Sequence, residues 1–187
     1  MAHRVGIVGM GLMGQAFIAN LREAQFSVQG YDTDPARMDN LREQGGSPVA
    51  TPEDVAKGVD YVIASLPTSN IAQEVLLGTG GVADGAEGTL YICDTTTSSP
   101  KVSEQTSKAL KEKGIRYLDS AVSGTSTMAQ ARDTIVIAGG SEEDFKACKS
   151  VFQGIARAAY YMGPAGSGSR TKLVINLVLS GNRLALA

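Results

Sequence analysis

Lys172 and Asn176 stand four residues apart in a strongly apolar stretch, 170–187, so on a helix they share one face. Ser180 and Arg183 extend the same line, which makes one polar stripe on an otherwise apolar helix. A solvent-facing stripe is one explanation. A helix apolar nearly all round is expected to be buried on several sides, so the stripe can instead face a cleft. In a partly dry cleft a lysine pKa is drawn from about 10.4 towards roughly 7–8, where the amine gives and takes protons. A second group, Asp119-Ser120-Ala121-Val122-Ser123-Gly124-Thr125, follows an apolar strand. Its successive backbone N–H groups and a serine hydroxyl can hold an anion such as a carboxylate, although loops of this composition also serve simply as turns. His3 is the only histidine and precedes the first strand, so no Ser–His or Cys–His dyad is available and lysine is the remaining acid–base candidate. Cys93 and Cys148 have neither metal nor disulfide-framework spacing. No metal site is expected, and both read as reduced thiols packed as small apolar groups.

A third group lies at the start of the chain. The apolar run 5–8 leads into Gly9-Met10-Gly11-Leu12-Met13-Gly14, and an amphipathic segment follows at once. A strand, a Gly-x-Gly-x-x-Gly turn and a helix N-terminus together form a cradle for the pyrophosphate of a dinucleotide. Asp32 comes 23 residues after Gly9, at the end of the next predicted strand. There a carboxylate accepts hydrogen bonds from ribose hydroxyls and, with Asp34 beside it, repels a 2′-phosphate, which favours NAD over NADP. The alternative is that Asp32 only begins a turn with Asp34 and Pro35. Asp94-Thr95-Thr96-Thr97-Ser98-Ser99-Pro100 ends another strand at the sheet edge where open α/β folds bind ligands. Its threonines either cap the next helix or touch the nicotinamide half of the cofactor.

The elements needed to position these groups are legible as an alternation. Strands are expected at 26–32, 61–66, 89–94, 115–119, 134–138 and 158–162, after the first at 5–8. Helices are expected at 12–25, 35–44, 70–77, 101–113 and 142–152, the last opened by Ser141 as N-cap. Apolar strands alternating with helices predict an α/β fold of the Rossmann type, a doubly wound and mostly parallel sheet covered on both faces. The run 163–169, rich in Gly and Ser, reads as a linker, which divides the chain into 1–163 and 164–187. The final helix reaches residue 187 without a stop signal and is expected to continue in a longer protein.

Composition removes several classes. With 187 residues, a net charge of −2 and a pI near 5.4, the chain has no general attraction for nucleic acid or an anionic membrane surface. No run approaches a membrane span, and a first strand starting almost at once leaves no expected signal peptide, so a cytoplasmic location is expected.

Taken together, these segments resemble the β-hydroxyacid dehydrogenase family, which includes 3-hydroxyisobutyrate dehydrogenase, tartronate semialdehyde reductase and threonate dehydrogenases. The resemblance implies that residues 9–14, Leu66 and Pro67 (within Ser65-Leu66-Pro67) and Thr96 contact NAD. It implies that Ser123, Gly124, Thr125 and Asn176 bind a small carboxylate substrate, and that Lys172 is the catalytic acid/base. The activity implied is hydride transfer between nicotinamide and the hydroxyl-bearing carbon of a 3-hydroxy acid. Alternatives are a semialdehyde or glyoxylate reductase of the same family, or a non-catalytic dinucleotide-binding module. Imine reductases of similar architecture generally lack a lysine at this place. The substrate loop departs from the family's Asp-x-Pro-Val-Ser-Gly-Gly, with Ala121 for the proline and Thr125 for the second glycine. Family members also carry an all-helical second domain of about a hundred residues and form oligomers. That domain is missing from this sequence, so the 187-residue chain alone is expected to be poorly active, and the complete protein a homodimer or homotetramer.

Overall fold

The computed structural model describes residues 4–185; His3 and the last two residues lie outside that range. Eight strands form one sheet in the order β3-β2-β1-β4-β5-β6-β7-β8. The strands are β1 Arg4–Val8, β2 Ser27–Tyr31, β3 Ser47–Pro48, β4 Tyr61–Ala64, β5 Tyr91–Asp94, β6 Arg116–Ser123, β7 Ile135–Gly139 and β8 Ala158–Tyr161. Every neighbouring pair is parallel except β6 and β7, which run antiparallel from Asp119 opposite Gly139 to Ser123 opposite Ile135. The helices are α1 Leu12–Glu23, α2 Pro35–Glu43, α3 Ser69–Leu77, α4 Pro100–Glu112, α5 Ser126–Gln130, α6 Glu142–Ala147, α7 Lys149–Ile155 and α8 Ser167–Ala185.

Strands with both faces covered must be apolar on both sides, and two separate cores meet that requirement. Phe17, Leu21 and Phe152 pack with Ile7 on one face, while Val62, Leu76, Leu90 and Leu110 form the other. Short polar residues start several of the helices, because the first N–H groups of a helix need acceptors. Asp34 accepts from Ala36 N at 3.0 Å, Ser99 from Val102 N at 3.3 Å and Ser141 from Asp144 N at 3.0 Å.

Besides adding the short β3 and α5, the structure differs from the sequence-based expectation in four features. The helix expected at 142–152 breaks at Cys148, whose ψ of 2° ends α6 and restarts the chain as α7. β6 runs four residues beyond 119, carried by its antiparallel partner. α8 begins at Ser167, inside the run read as a linker. The expectation that the last helix is buried on several sides is corrected as well. Its only buried residues are Gly168, Ser169 and Lys172, while Leu177 is 74% exposed and Leu184 81%. α8 meets the sheet at β6 and β7, with Gly168 in its first turn lying against the Asp119 and Ile137 carbonyl oxygens.

Candidate active site

The turn after β1 is held by close packing. Gly9 has φ +84°, and a Cβ there would collide with the Ser65 carbonyl oxygen. A Cβ at Gly14 would collide with the Gly9 carbonyl oxygen, so α1 lies tight against the turn. A Cβ at Gly11 would meet nothing nearer than the Arg37 guanidinium at 3.9 Å, which leaves that side of the turn open to a ligand. A cavity of about 590 Å³ opens there, lined by Gly9, Gly11, Leu12, Asp32, Leu66 and Pro67. An open glycine cradle at a helix N-terminus, with a carboxylate at the end of the neighbouring strand, fits a dinucleotide.

Asp32 is nearly buried and accepts from Met10 N at 2.6 Å and Asp34 N at 2.9 Å. Arg37, in the first turn of α2, also reaches it at 3.2 Å and lies 3.4 Å from Asp34. Sequence reasoning treated the two acids as unopposed and missed this cation. The available signal was a basic residue in the first turn of the helix that follows the acidic strand end.

Thr96 is buried. Its hydroxyl accepts from Leu66 N at 3.1 Å, and its own N–H donates to Asp94 at 3.0 Å. The hydroxyl thus ties the 65–67 loop to the strand end, while Thr95 and Thr97 line a second cavity with Met13 and Ser65. Those two neighbours were not singled out in the sequence, where three consecutive threonines look alike.

Lys172 lies on that second cavity with Asn176 and Gly124. It is 8% exposed, and burial lowers its pKa from the usual lysine value with no carboxylate opposing the shift. A third cavity continues from Lys172 and Asn176 past Ser123 and Thr125 to Ser180 and Arg183. The polar stripe of α8 therefore borders a groove. Thr125 has a second attachment, because its hydroxyl oxygen accepts from Met128 N at 3.2 Å and caps α5. Asp133 and Arg157 also border this groove and pair at 2.8 Å.

The three cavities are contiguous. Met13 and Ser65 line both the first and the second; Gly124, Lys172 and Asn176 line both the second and the third. A path runs from the glycine turn and Asp32, past the lysine, to the 123–125 loop. Among the described residues there is no group of three or more His, Cys, Asp or Glu side chains able to hold a metal ion, and no helix is long and apolar enough to cross a membrane.

Known proteins resemble this chain in sequence and in fold. Residues 4–163 match the family model described as the NAD binding domain of 6-phosphogluconate dehydrogenase. A 2-(hydroxymethyl)glutarate dehydrogenase of Eubacterium barkeri is 32% identical over 184 residues, covering 98% of this chain and 61% of that protein. Glyoxylate/succinic semialdehyde reductase 1 of Arabidopsis thaliana is 31% identical over 176 residues, 94% of this chain and 61% of the relative. The solved structure of Mycobacterium tuberculosis 3-hydroxyisobutyrate dehydrogenase with L-serine superposes with a TM-score of 0.94 at 25% identity, covering 99% of this chain and 62% of that one. The chain thus spans somewhat over half the length of these relatives. The family match takes in the glycine turn, Asp32, the threonine loop and the 123–125 loop, so the chain belongs to the family of the NAD-binding domain of 6-phosphogluconate dehydrogenase and is related to the β-hydroxyacid dehydrogenases.

Proposed function

We propose that the protein transfers a hydride between NAD and the hydroxyl-bearing carbon of a small 3-hydroxy acid, or the matching semialdehyde, with Lys172 as acid and base. The observation that carries this reading is the buried Lys172 on the wall common to two cavities, one of which adjoins the dinucleotide cradle through Met13 and Ser65. When bound, NAD supplies the hydride acceptor and, reduced, the donor. In oxidation the neutral Lys172 amine takes the hydroxyl proton as the carbon loses its hydride; in reduction the ammonium returns a proton to the carbonyl oxygen. Asn176, one turn on, holds the substrate hydroxyl and the lysine in line. Ser123 Oγ and the Gly124 N–H hold the carboxylate, with Thr125 on the adjoining wall. Gly9, Met10, Gly11, Leu12, Met13 and Gly14 bind the pyrophosphate side, Asp32 the ribose, and Leu66 with Pro67 the loop flank that Thr96 fixes.

A carboxylate substrate is supported by the names of the relatives, which act on 2-(hydroxymethyl)glutarate, glyoxylate and succinic semialdehyde, or 3-hydroxyisobutyrate. In this reading residues 1–163 are the cofactor unit and 164–187 its link to the rest of a cytoplasmic homodimer or homotetramer.

Lys172→Ala in the complete protein is expected to abolish turnover across a panel of 3-hydroxy acids while NADH affinity, read by fluorescence, stays within about twofold. Near-normal turnover would overturn the assignment. For the wild type, oxidation should gain kcat/KM as pH rises through a lysine limb placed below 10.5, because only the neutral amine accepts the proton. NADH binding with no turnover of any panel member would favour a binding module instead.

A further inference from the structure

Asp119 stands on β6, opposite Gly139 of β7 and beside Asp94 of β5, and is 2% exposed. Its carboxylate lines none of the three cavities along the path. Both oxygens are taken up by the start of α8: Oδ1 accepts from Gly166 N at 2.9 Å and Oδ2 from Ser169 N at 2.7 Å. The first N–H groups of a helix have no partners within it, so an acceptor gripping two of them fixes where the helix begins and how it is rotated.

The same turn is fitted closely to the sheet. A Cβ at Gly168 would collide with the Asp119 carbonyl oxygen and lie 2.6 Å from that of Ile137. Ser169 also meets the Ser103 hydroxyl of α4 at 2.9 Å. Beyond Lys172 the helix has no buried residue, so this first turn is what holds it. Lys172 comes three residues after Ser169, the next position on that face.

We propose that Asp119 is the positioning residue for Lys172: by holding the Gly166 and Ser169 N–H groups it sets the depth and rotation at which α8 presents the lysine between Gly124 and Asn176. Asp119 touches neither the lysine nor the cavity. The proposal rests on the reading of Lys172 as acid and base, but the attachment itself is independent of that reading.

The test uses Asp119→Asn in the complete protein. Asparagine keeps one acceptor and turns an NH2 group towards the other backbone N–H, so one of the two bonds becomes a donor–donor contact. A loosened first turn admits water to Lys172. Apart from the lysine, the ionisable groups bordering its groove are Asp133, Arg157 and Arg183, and Asp133 is already paired with Arg157. On the other side, Asp119 faces Asp94, which accepts from the Tyr117 hydroxyl.

The expected result is a fall in kcat of about 10–100-fold and a lysine limb displaced to higher pH, with the Kd for NADH changed less than about twofold. Gly168→Ala pushes the same turn off the sheet without altering a polar group. It should displace the limb in the same direction, and the double variant should be little worse than the poorer single one. A wild-type limb and kcat in Asp119→Asn, or a wild-type limb in Gly168→Ala, would overturn the proposal. So would a loss of NADH binding in step with kcat, which would make Asp119 a support of the whole fold. If instead Lys172→Ala stays active, the proposed function fails, a result readily told apart from these.

Discussion

Burial disfavours the ionised form of any side chain, so it draws the Lys172 pKa down and pushes the carboxyls of Asp94 and Asp119 up. For Asp94 the consequence is one of stability. A carboxyl whose folded pKa exceeds its unfolded value near 3.8 binds protons more readily in the folded protein. Its contribution therefore falls as pH rises through that window, and above both values the cost is complete. Asp94→Asn keeps an acceptor for Thr96 N and leaves the Tyr117 hydroxyl a partner, since that group both donates and accepts. Denaturant melts at about pH 4 and about pH 7 should find the variant within about 1 kcal/mol of the parent or more stable at the higher pH, with a weaker fall between the two. A loss above about 2 kcal/mol at neutral pH would mean that the charge itself is required. At this scale the sequence conveyed which side chains matter better than what their atoms touch. Lys172 and Asn176 were marked by spacing on an apolar helix. The carboxylate of Asp119 and the hydroxyl of Thr96 have partners 50 and 30 residues away, which spacing cannot reveal.

Among the elements, α5 begins on the wall of the groove. Thr125 caps it and also forms part of the wall beside Ser123 and Gly124. Thr125→Ala is expected to lower stability by about 0.5–2 kcal/mol, and Thr125→Ser to restore most of it, as read by chemical denaturation. No change in the alanine variant would mean that the cap contributes nothing. α5 itself escaped sequence reasoning, because the Ser/Gly/Thr loop before it resembles an ordinary turn. The α6–α7 break escaped for a different reason: apolar residues keep a helical period across Cys148 although the backbone does not. In α8 the apolar composition was read correctly and its burial was not, since composition carries no information about which neighbours are present.

For the molecule as a whole, the alternation of apolar strands and helices with one glycine turn was enough to give the doubly wound sheet. The reversal between β6 and β7 and the short β3 were not visible, because pairing direction is set by connections rather than by strand composition. A ligand that binds only the folded state stabilises all of it. NADH at a hundred times its Kd should stabilise the protein by about 2.7 kcal/mol, measured as a rise in Tm. NADPH at equal concentration should give a smaller rise if Asp32 holds the ribose as proposed, with Arg37 offsetting part of the charge of Asp32 and Asp34. An equal or larger rise with NADPH would show that Arg37 outweighs the two acids.

The attachment of α8 by its first turn has a mechanical consequence. The helix has 19 residues, and the bond from Ser169 N to Asp119 makes Ser169 the pivot in the proposed attachment. At 1.5 Å per residue, Ala185 lies about 24 Å beyond the pivot and Lys172 only about 4.5 Å. A swing of the far end therefore reaches the amine geared down about fivefold. Whatever pushes on the outer half of this lever can travel several ångströms while the lysine keeps its place within one.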